Sequence, residues 1–295
     1  MKLTLLGTGT PNPSLTRASS GYLVEAGGAT IVFDHGPGAH HRLLETGTRA
    51  VDVSHLFFSH FHYDHCLDYP RLVLTRWDQG ADRIPDLNVF GPSPLTRMTE
   101  QLFGADGVYN DDIRARIEHP ASVETFAARG GHPPRRRPAP KTRELATGDV
   151  VDLDGVVVRT TEVPHVQPYL TCLAYRIEAD GRTLVYSGDS GPSDDLVELA
   201  SGCDVLVQMC HYRSGSVVGA EWQKGSCGHL EAADVAVRAG AGALVLTHLP
   251  SQIDVAGVRE RIVSEIAEIY DGHVFWGEDL LVVPMDGPSQ RRHDG

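Results

Sequence analysis

Residues 58–65 read Phe-Ser-His-Phe-His-Tyr-Asp-His, so that His60, His62, Asp64 and His65 fall within six positions directly behind the apolar run Leu56-Phe57-Phe58. An apolar run of this kind predicts a buried strand. The polar cluster after it predicts a tight loop at the strand end that aims His60 and His62 at one metal ion and Asp64 and His65 at a second ion beside it. Imidazole and carboxylate heads crowded this closely lose hydration and repel one another unless a cation compensates them.

Single ligand-type residues follow further strand-like runs downstream. The run 156–163 leads to Pro164-His165, 183–186 leads to Ser187-Gly188-Asp189, and 243–246 leads to Thr247-His248. Strand ends are where α/β folds collect functional groups from distant parts of a chain. Each of these residues alone is an ordinary core histidine or turn aspartate. Together they complete a set for two metals: His60, His62 and His165 on one ion, Asp64, His65 and His248 on the other, and Asp189 bridging.

With these residues the chain resembles the metallo-β-lactamase-fold hydrolases, which share an HxHxDH motif followed by later His, Asp and His ligands. It looks most like the branch that contains ribonuclease Z and related phosphodiesterases and arylsulfatases. The opening Leu5-Leu6-Gly7-Thr8-Gly9-Thr10-Pro11, the segment Phe33-Asp34-His35-Gly36-Pro37-Gly38 and Tyr186-Ser187-Gly188-Asp189-Ser190 match that branch, as does Gly228-His229 ahead of Glu231-Ala232-Ala233. The likeness runs from about residue 1 to about residue 284. It implies an α/β fold, a four-layer αββα sandwich of the metallo-β-lactamase type. It also implies two Zn²⁺ per chain, with Mn or Fe tolerated by the same donors, and a homodimer. Asp64 would steer the nucleophile, His229 would serve as general acid or oxyanion donor by its match to the family's later histidine, and Asp34 would hydrogen-bond a ligand histidine from behind.

The departures from the family pattern are as specific as the matches. Ribonuclease Z carries His-Glu-Ala-Thr after the strand that follows the bridging aspartate, and its glutamate cooperates with the later histidine in proton transfer. This chain has Gln208-Met209-Cys210-His211 there, and a thioether cannot orient or charge an imidazole. Leu230-Glu231 replaces the Ser-Thr of the later motif, and Cys66 stands where the first motif commonly has glycine. His211 is the residue available to stand in for the lost partner. No glycine- and lysine-rich arm for clamping tRNA is visible, although 106–143 is long enough to hold an insertion.

Charge argues in the same direction: 26 Lys and Arg against 39 Asp and Glu give a formal net charge of −13, a poor field for a polyanion. The one basic cluster, Arg135-Arg136-Arg137 with Lys141 amid prolines, reads as an exposed extended loop, a dimer contact or a flap over the substrate. Nucleic acid is therefore not the expected partner. The expected activity is that of a dinuclear zinc hydrolase in which a metal-bridging hydroxide attacks a small-molecule ester, foremost a phosphodiester. The alternatives are a carbon-centred electrophile (lactone, aryl ester or sulfate, activated aryl halide) and a non-catalytic metal-binding scaffold. Phe61, Tyr63, Tyr69, Trp77, Tyr169, Tyr212 and Trp222 suggest aromatic surroundings for that substrate.

One domain is expected over residues 1–285, followed by a polar, flexible tail over 286–295. Helical periodicity predicts helices over 39–45, 67–77, 94–103, 194–200, 230–239 and 255–270, the last with a core stripe of Val258, Ile262, Ile266 and Ile269. Five scattered cysteines fit reduced thiols. No signal peptide or membrane span is apparent, and a cytoplasmic location is expected.

Overall fold

The computed structural model describes residues 1–216 and 219–285. The expected tail, 286–295, lies outside the described residues.

The chain forms two sheets of similar design. In the first, β1 (Lys2–Gly7), β2 (Gly21–Ala26) and β3 (Ala29–His35) form an antiparallel meander, and β4 (His55–Phe57), β5 (Asn88–Gly91) and β6 (Lys141–Glu144) continue it in parallel. In the second, β7 (Val150–Asp152), β8 (Val157–Glu162), β9 (Leu173–Ala179) and β10 (Arg182–Tyr186) are antiparallel neighbours, and β11 (Val205–Met209), β12 (Ala243–Thr247) and β13 (His273–Trp276) extend the sheet in parallel. The last strand, β14 (Val282–Val283), returns to pair with β1.

Central strands buried on both faces need continuous apolar runs, and the two faces of each run enter different cores. Phe57 points between the sheets. It stacks on Phe33 and Phe90 at ring-centroid distances of 5.0 and 4.6 Å and meets Tyr175 of the opposite sheet edge-on. Leu56 and Phe58, one residue either side, face the outer helices. Val205 and Val207 likewise line the core between the sheets while Leu206 packs outward.

Helices cover both outer faces: α1 (Ala39–Glu45), the one-turn α2 (Tyr63–Cys66), α3 (Tyr69–Gly80), α4 (Leu95–Phe103), α5 (Asn110–Glu118) and α6 (Pro120–Ala128) in the first half, and α7 (Asp194–Leu199), α8 (Ala220–Gly225), α9 (His229–Ala239) and α10 (Val258–Ala267) in the second. The result is the expected αββα sandwich. The helix α10 is shorter than its periodicity suggested. Gly257 (φ 85°) precedes it, with its N–H capped by the Glu260 carboxylate at 2.5 Å, and Ile269 beyond its end is half exposed rather than core. Periodicity does not reveal α5, which is highly charged, or α6, which is short and alanine-rich; each buries one residue, Ile113 and Phe126, and therefore lacks the apolar stripe that reveals a helix.

The arginine cluster corrects another expectation. Arg135 is buried, its guanidinium 3.7 Å from the centroid of the Trp77 ring and 3.1 Å from Asp78. Arg136 pairs with Asp82 and Asp86, and Arg137 donates to the carbonyls of Phe103 and Gly104. These cations fasten the segment to the ends of α3 and α4, since guanidinium groups satisfy several acceptors at once. The segment remains an irregular loop with Pro133, Pro134 and Arg136 exposed, as expected, but Arg135 is committed to the protein interior.

Candidate metal centre and the cavity beside it

Ligand-type side chains reach one edge of the sandwich from the ends of β4, β8, β10 and β12. His60, His62, His165 and Asp189 form one group and Asp64, His65 and His248 a second, with donor atoms in each group within 4.8 Å of one another. In the first group His62 Nδ1 lies 3.0 Å from His60 Nε2 and 3.3 Å from His165 Nε2. In the second, His248 Nε2 is 3.2 Å from Asp64 Oδ2. Asp189 faces both groups: its Oδ2 is 3.2 Å from His248 Nε2, 3.4 Å from His65 Nε2 and 3.8 Å from His165 Nε2.

Buried polar atoms are ordinarily hydrogen-bonded. His65 Nε2 and Asp64 Oδ1 are buried and have no hydrogen-bond partner among the described residues. Five imidazoles and two carboxylates converging on such orphaned atoms form a donor set that suits divalent metal ions, zinc foremost.

The other nitrogens of the ligand imidazoles are held from behind. Asp34, fully buried, accepts from the Ser59 N–H (2.7 Å), the Ser59 hydroxyl (2.6 Å), the Tyr186 hydroxyl (2.6 Å) and His65 Nδ1 (2.8 Å). Because the Ser59 hydroxyl donates to Asp34, its oxygen is left to accept from His60 Nδ1 at 3.0 Å. His165 Nδ1 donates to the Gly225 carbonyl at 2.6 Å. Each of these bonds puts the ring proton on Nδ1 and turns the Nε2 lone pair toward the cluster. Backbone strain accompanies the arrangement: Asp34 (φ 51°) and His248 (φ 58°) are left-handed although neither is glycine. Such positions persist only where surrounding contacts over-determine them. Glycine is required where backbones meet, for a Cβ on Gly225 would lie 2.0 Å from the His165 carbonyl oxygen.

The charges of the group are mutually dependent. Burial and the neighbouring imidazoles push His60 well below the ordinary histidine range. Burial also opposes ionisation of Asp189, yet the imidazoles of His248 and His65 hold its carboxyl well below the usual carboxylate range. Burial disfavours a charged His65, but the carboxylates of Asp189 and Asp34 outweigh it and raise its pKa.

Beside the cluster lies a cavity of about 290 Å³, lined by His62, His165, Asp189 and His248 of the cluster and by Met209, His211, Glu221 and Trp222 adjoining them. Most of the aromatic residues expected here lie elsewhere. Tyr69 and Trp77 belong to the outer core of the first sheet, Tyr63 lines a different groove, and Trp222 remains as the aromatic wall. The Cys66 thiol donates to the His62 carbonyl and is pushed up to about 12 by burial, outside either ligand group.

His229 is fully buried and is not among the residues lining this cavity. The Ser214 N–H donates to its Nδ1 (3.0 Å), which leaves Nε2–H to donate to Glu265 Oε2 on α10 (2.8 Å). Burial pushes its pKa down, against the raising effect of Glu265. The carboxylate absent at Met209 is thus supplied to His229 by another helix, a partnership 36 residues apart in sequence. Arg213 and Arg261 fix that carboxylate in turn. His211 does reach the cavity: its Nδ1 is 2.9 Å from His248 Nδ1 and its ring centroid 5.6 Å from that of Trp222.

Comparison with known proteins agrees with this geometry. Residues 29–249 match the model of the beta-lactamase superfamily domain. Ribonuclease Z of Mycolicibacterium paratuberculosis is 34% identical over 297 residues, spanning 98% of this chain and 100% of that relative. Among solved structures, a metallo-β-lactamase fold protein from Bacillus subtilis superposes with a TM-score of 0.73 at 22% identity, covering 96% of this chain and 99% of that one. The short form of human tRNase Z superposes at 0.67 with 21% identity, covering 97% and 99%. The converging His and Asp groups, the paired sheets that carry them and a likeness running almost end to end identify the chain as a member of the β-lactamase superfamily, a metal-dependent hydrolase of its ribonuclease Z-like branch.

Proposed function

We propose that this protein hydrolyses phosphodiesters at a dinuclear centre held by His60, His62 and His165 on one side, Asp64, His65 and His248 on the other, and Asp189 between them. The observation that carries the reading is the complete convergence of these residues, with orphaned acceptor atoms at Asp64 and His65, next to a cavity open to a substrate. Two divalent cations, zinc by the donor set, supply Lewis acidity and a water of lowered pKa when bound there. Asp64 Oδ1 accepts the proton of the attacking water, and Asp189 holds both ligand groups in register. Trp222 offers an apolar face to an aryl or nucleobase portion of the substrate. The substrate is small. Among the described residues no lysine or arginine lines the cavity, Glu221 lines it, and the net charge of −13 repels an extended polyanion.

RNA is the second reading, favoured by the end-to-end likeness to ribonuclease Z and opposed to the expectation from charge. Zinc-loaded protein assayed in parallel on bis-p-nitrophenyl phosphate, 2′,3′-cyclic nucleotides and a precursor tRNA, with metal counted by elemental analysis, separates them. Turnover of the small diesters with the tRNA left intact is the expected result, and tRNA cleavage at its 3′ side would establish the RNA reading. Metal without turnover of either would transfer the proposal to carbon-centred esters. Homodimerisation is proposed from the likeness alone, and sedimentation velocity tests it. No helix among the described residues is long and apolar enough to cross a membrane. The cysteines, all free, fit the reducing cytoplasm proposed as the protein's location.

A further inference from the structure

The contact between His211 and His248 joins a cavity-lining imidazole to a member of the ligand cluster, Nδ1 to Nδ1 at 2.9 Å. Two nitrogens at that distance share one proton, so one ring donates and the other accepts. His248 Nε2 faces Asp64 and Asp189 at 3.2 Å each. Ligation through that nitrogen leaves His248 its single N–H on Nδ1, which donates to His211. The acceptor, His211, then carries its own proton on Nε2, and that nitrogen has no hydrogen-bond partner among the described residues. The backbone is fixed as well. The His211 N–H donates to the Cys227 carbonyl at 2.7 Å, Tyr212 bridges to Gly228, and Ser214 is tied to His229 and Leu230.

We propose that His211 is a substrate-facing, neutral hydrogen-bond donor whose tautomer is set by ligation of His248, with its Nε2–H placed to bind the anionic oxygen that develops on the scissile group. The role suits the wall adjoining the ligands, where Met209 has no polar hydrogen, while His229, outside the cavity lining, is committed to Ser214 and Glu265. It also assigns a positioning role to the buried His229–Glu265 pair, which holds the strand-to-helix segment that carries His211. The inference rests on the hydrolase reading for its substrate but not for its tautomer, and two measurements keep these apart.

In protein labelled with ¹⁵N-histidine and loaded with zinc, long-range ¹H–¹⁵N correlations should show Nδ1–H on His248 and Nε2–H on His211, whatever the substrate. The opposite assignment, with Nδ1–H on His211, would overturn the proposal. Two variants then divide the roles of the ring. His211→Asn keeps an acceptor at the Nδ1 position and removes the cavity donor, and should retain wild-type metal content while kcat falls about 100-fold. His211→Gln keeps a donor toward the cavity and removes the acceptor, and should bind metal roughly 10-fold to 100-fold more weakly while losing less kcat at saturating metal. Wild-type kcat in His211→Asn, or its loss of metal alongside His211→Gln, would refute the assignment. Correct tautomers in a protein that turns over no phosphodiester would instead refute the phosphodiesterase reading and leave the donor in place for another substrate.

Discussion

The cavity has a ligand wall, backed by the His and Asp cluster, and an adjoining wall from the segment after β11, and the two hold their imidazoles in different ways. On the ligand wall, His60, His65 and His165 are anchored by groups that can only accept from Nδ1: the already donating Ser59 hydroxyl, the Asp34 carboxylate and the Gly225 carbonyl. On the adjoining wall, His211 has one side-chain anchor, His248 of the cluster, and a second nitrogen without a partner among the described residues, whereas His229 has both nitrogens occupied and stands behind the wall. A histidine with an accepting anchor at one nitrogen is pre-organised to offer the other. One with both nitrogens bonded to protein has nothing left to offer. Matching a family motif at His229 therefore identifies a position in the fold without identifying a role.

The largest effect that separates the walls should come from Asp189→Ala. Removing the carboxylate between the two groups should lower kcat/KM by about three orders of magnitude, the loss of several kcal/mol of charge stabilisation. Elemental analysis should find metal depleted together with activity, and full metal content in that variant would break the bridging assignment.

Asp34→Asn comes next. An amide cannot accept all the donors that Ser59, Tyr186 and His65 direct at the carboxylate. Metal affinity should fall roughly 10-fold to 100-fold, and urea denaturation should show a loss of about 1–3 kcal/mol for the buried donor left unsatisfied.

His229→Gln sharpens the contrast directly. A general acid would cost roughly 10²-fold to 10⁴-fold, most with poor leaving groups. The position behind the wall predicts a loss below about tenfold, independent of leaving group, and Glu265→Gln should reproduce it. A steep leaving-group dependence in either variant would return His229 to the chemistry.

The last effect is read in stability alone and lies behind the ligand wall, where His35 Nε2 meets His40 Nδ1 at 3.2 Å. Burial, with His40 and Arg71 nearby, pushes His35 down to about 3, and burial with Arg71 pushes His40 down to about 4, from an ordinary 6.5. Both folded values lie below the unfolded one, so the unfolded chain takes up protons first as pH falls. The pair's stabilisation is fully present above pH 6.5 and is lost as pH drops toward 4, by at most about 1.4 kcal/mol per pH unit for each ring. Urea midpoints measured from pH 7 to 5 should fall along this slope, and His40→Leu should flatten it.

Much of the architecture is legible in the chain because it depends on local pattern. Apolar runs such as Leu56-Phe57-Phe58 and 243–246 read as buried strands, and α1 spans the residues its periodicity indicates. The helices α5 and α6 escape notice because a short surface helix with one buried residue carries no stripe. The arginine cluster is misread because its partners Trp77, Asp78, Asp82 and Asp86 lie some fifty residues earlier.

By itself, then, the sequence determined the donor set. Four ligand-type side chains sit within one turn of chain after a strand, and the later ones follow strands, so their chemistry and spacing point to metal wherever the partners come from. Only the tertiary structure decided the state of each imidazole. The groups that orient His65, His229 and His211 are 31, 36 and 37 residues away in sequence, and the proton on a ring goes where the nearest acceptor is in space.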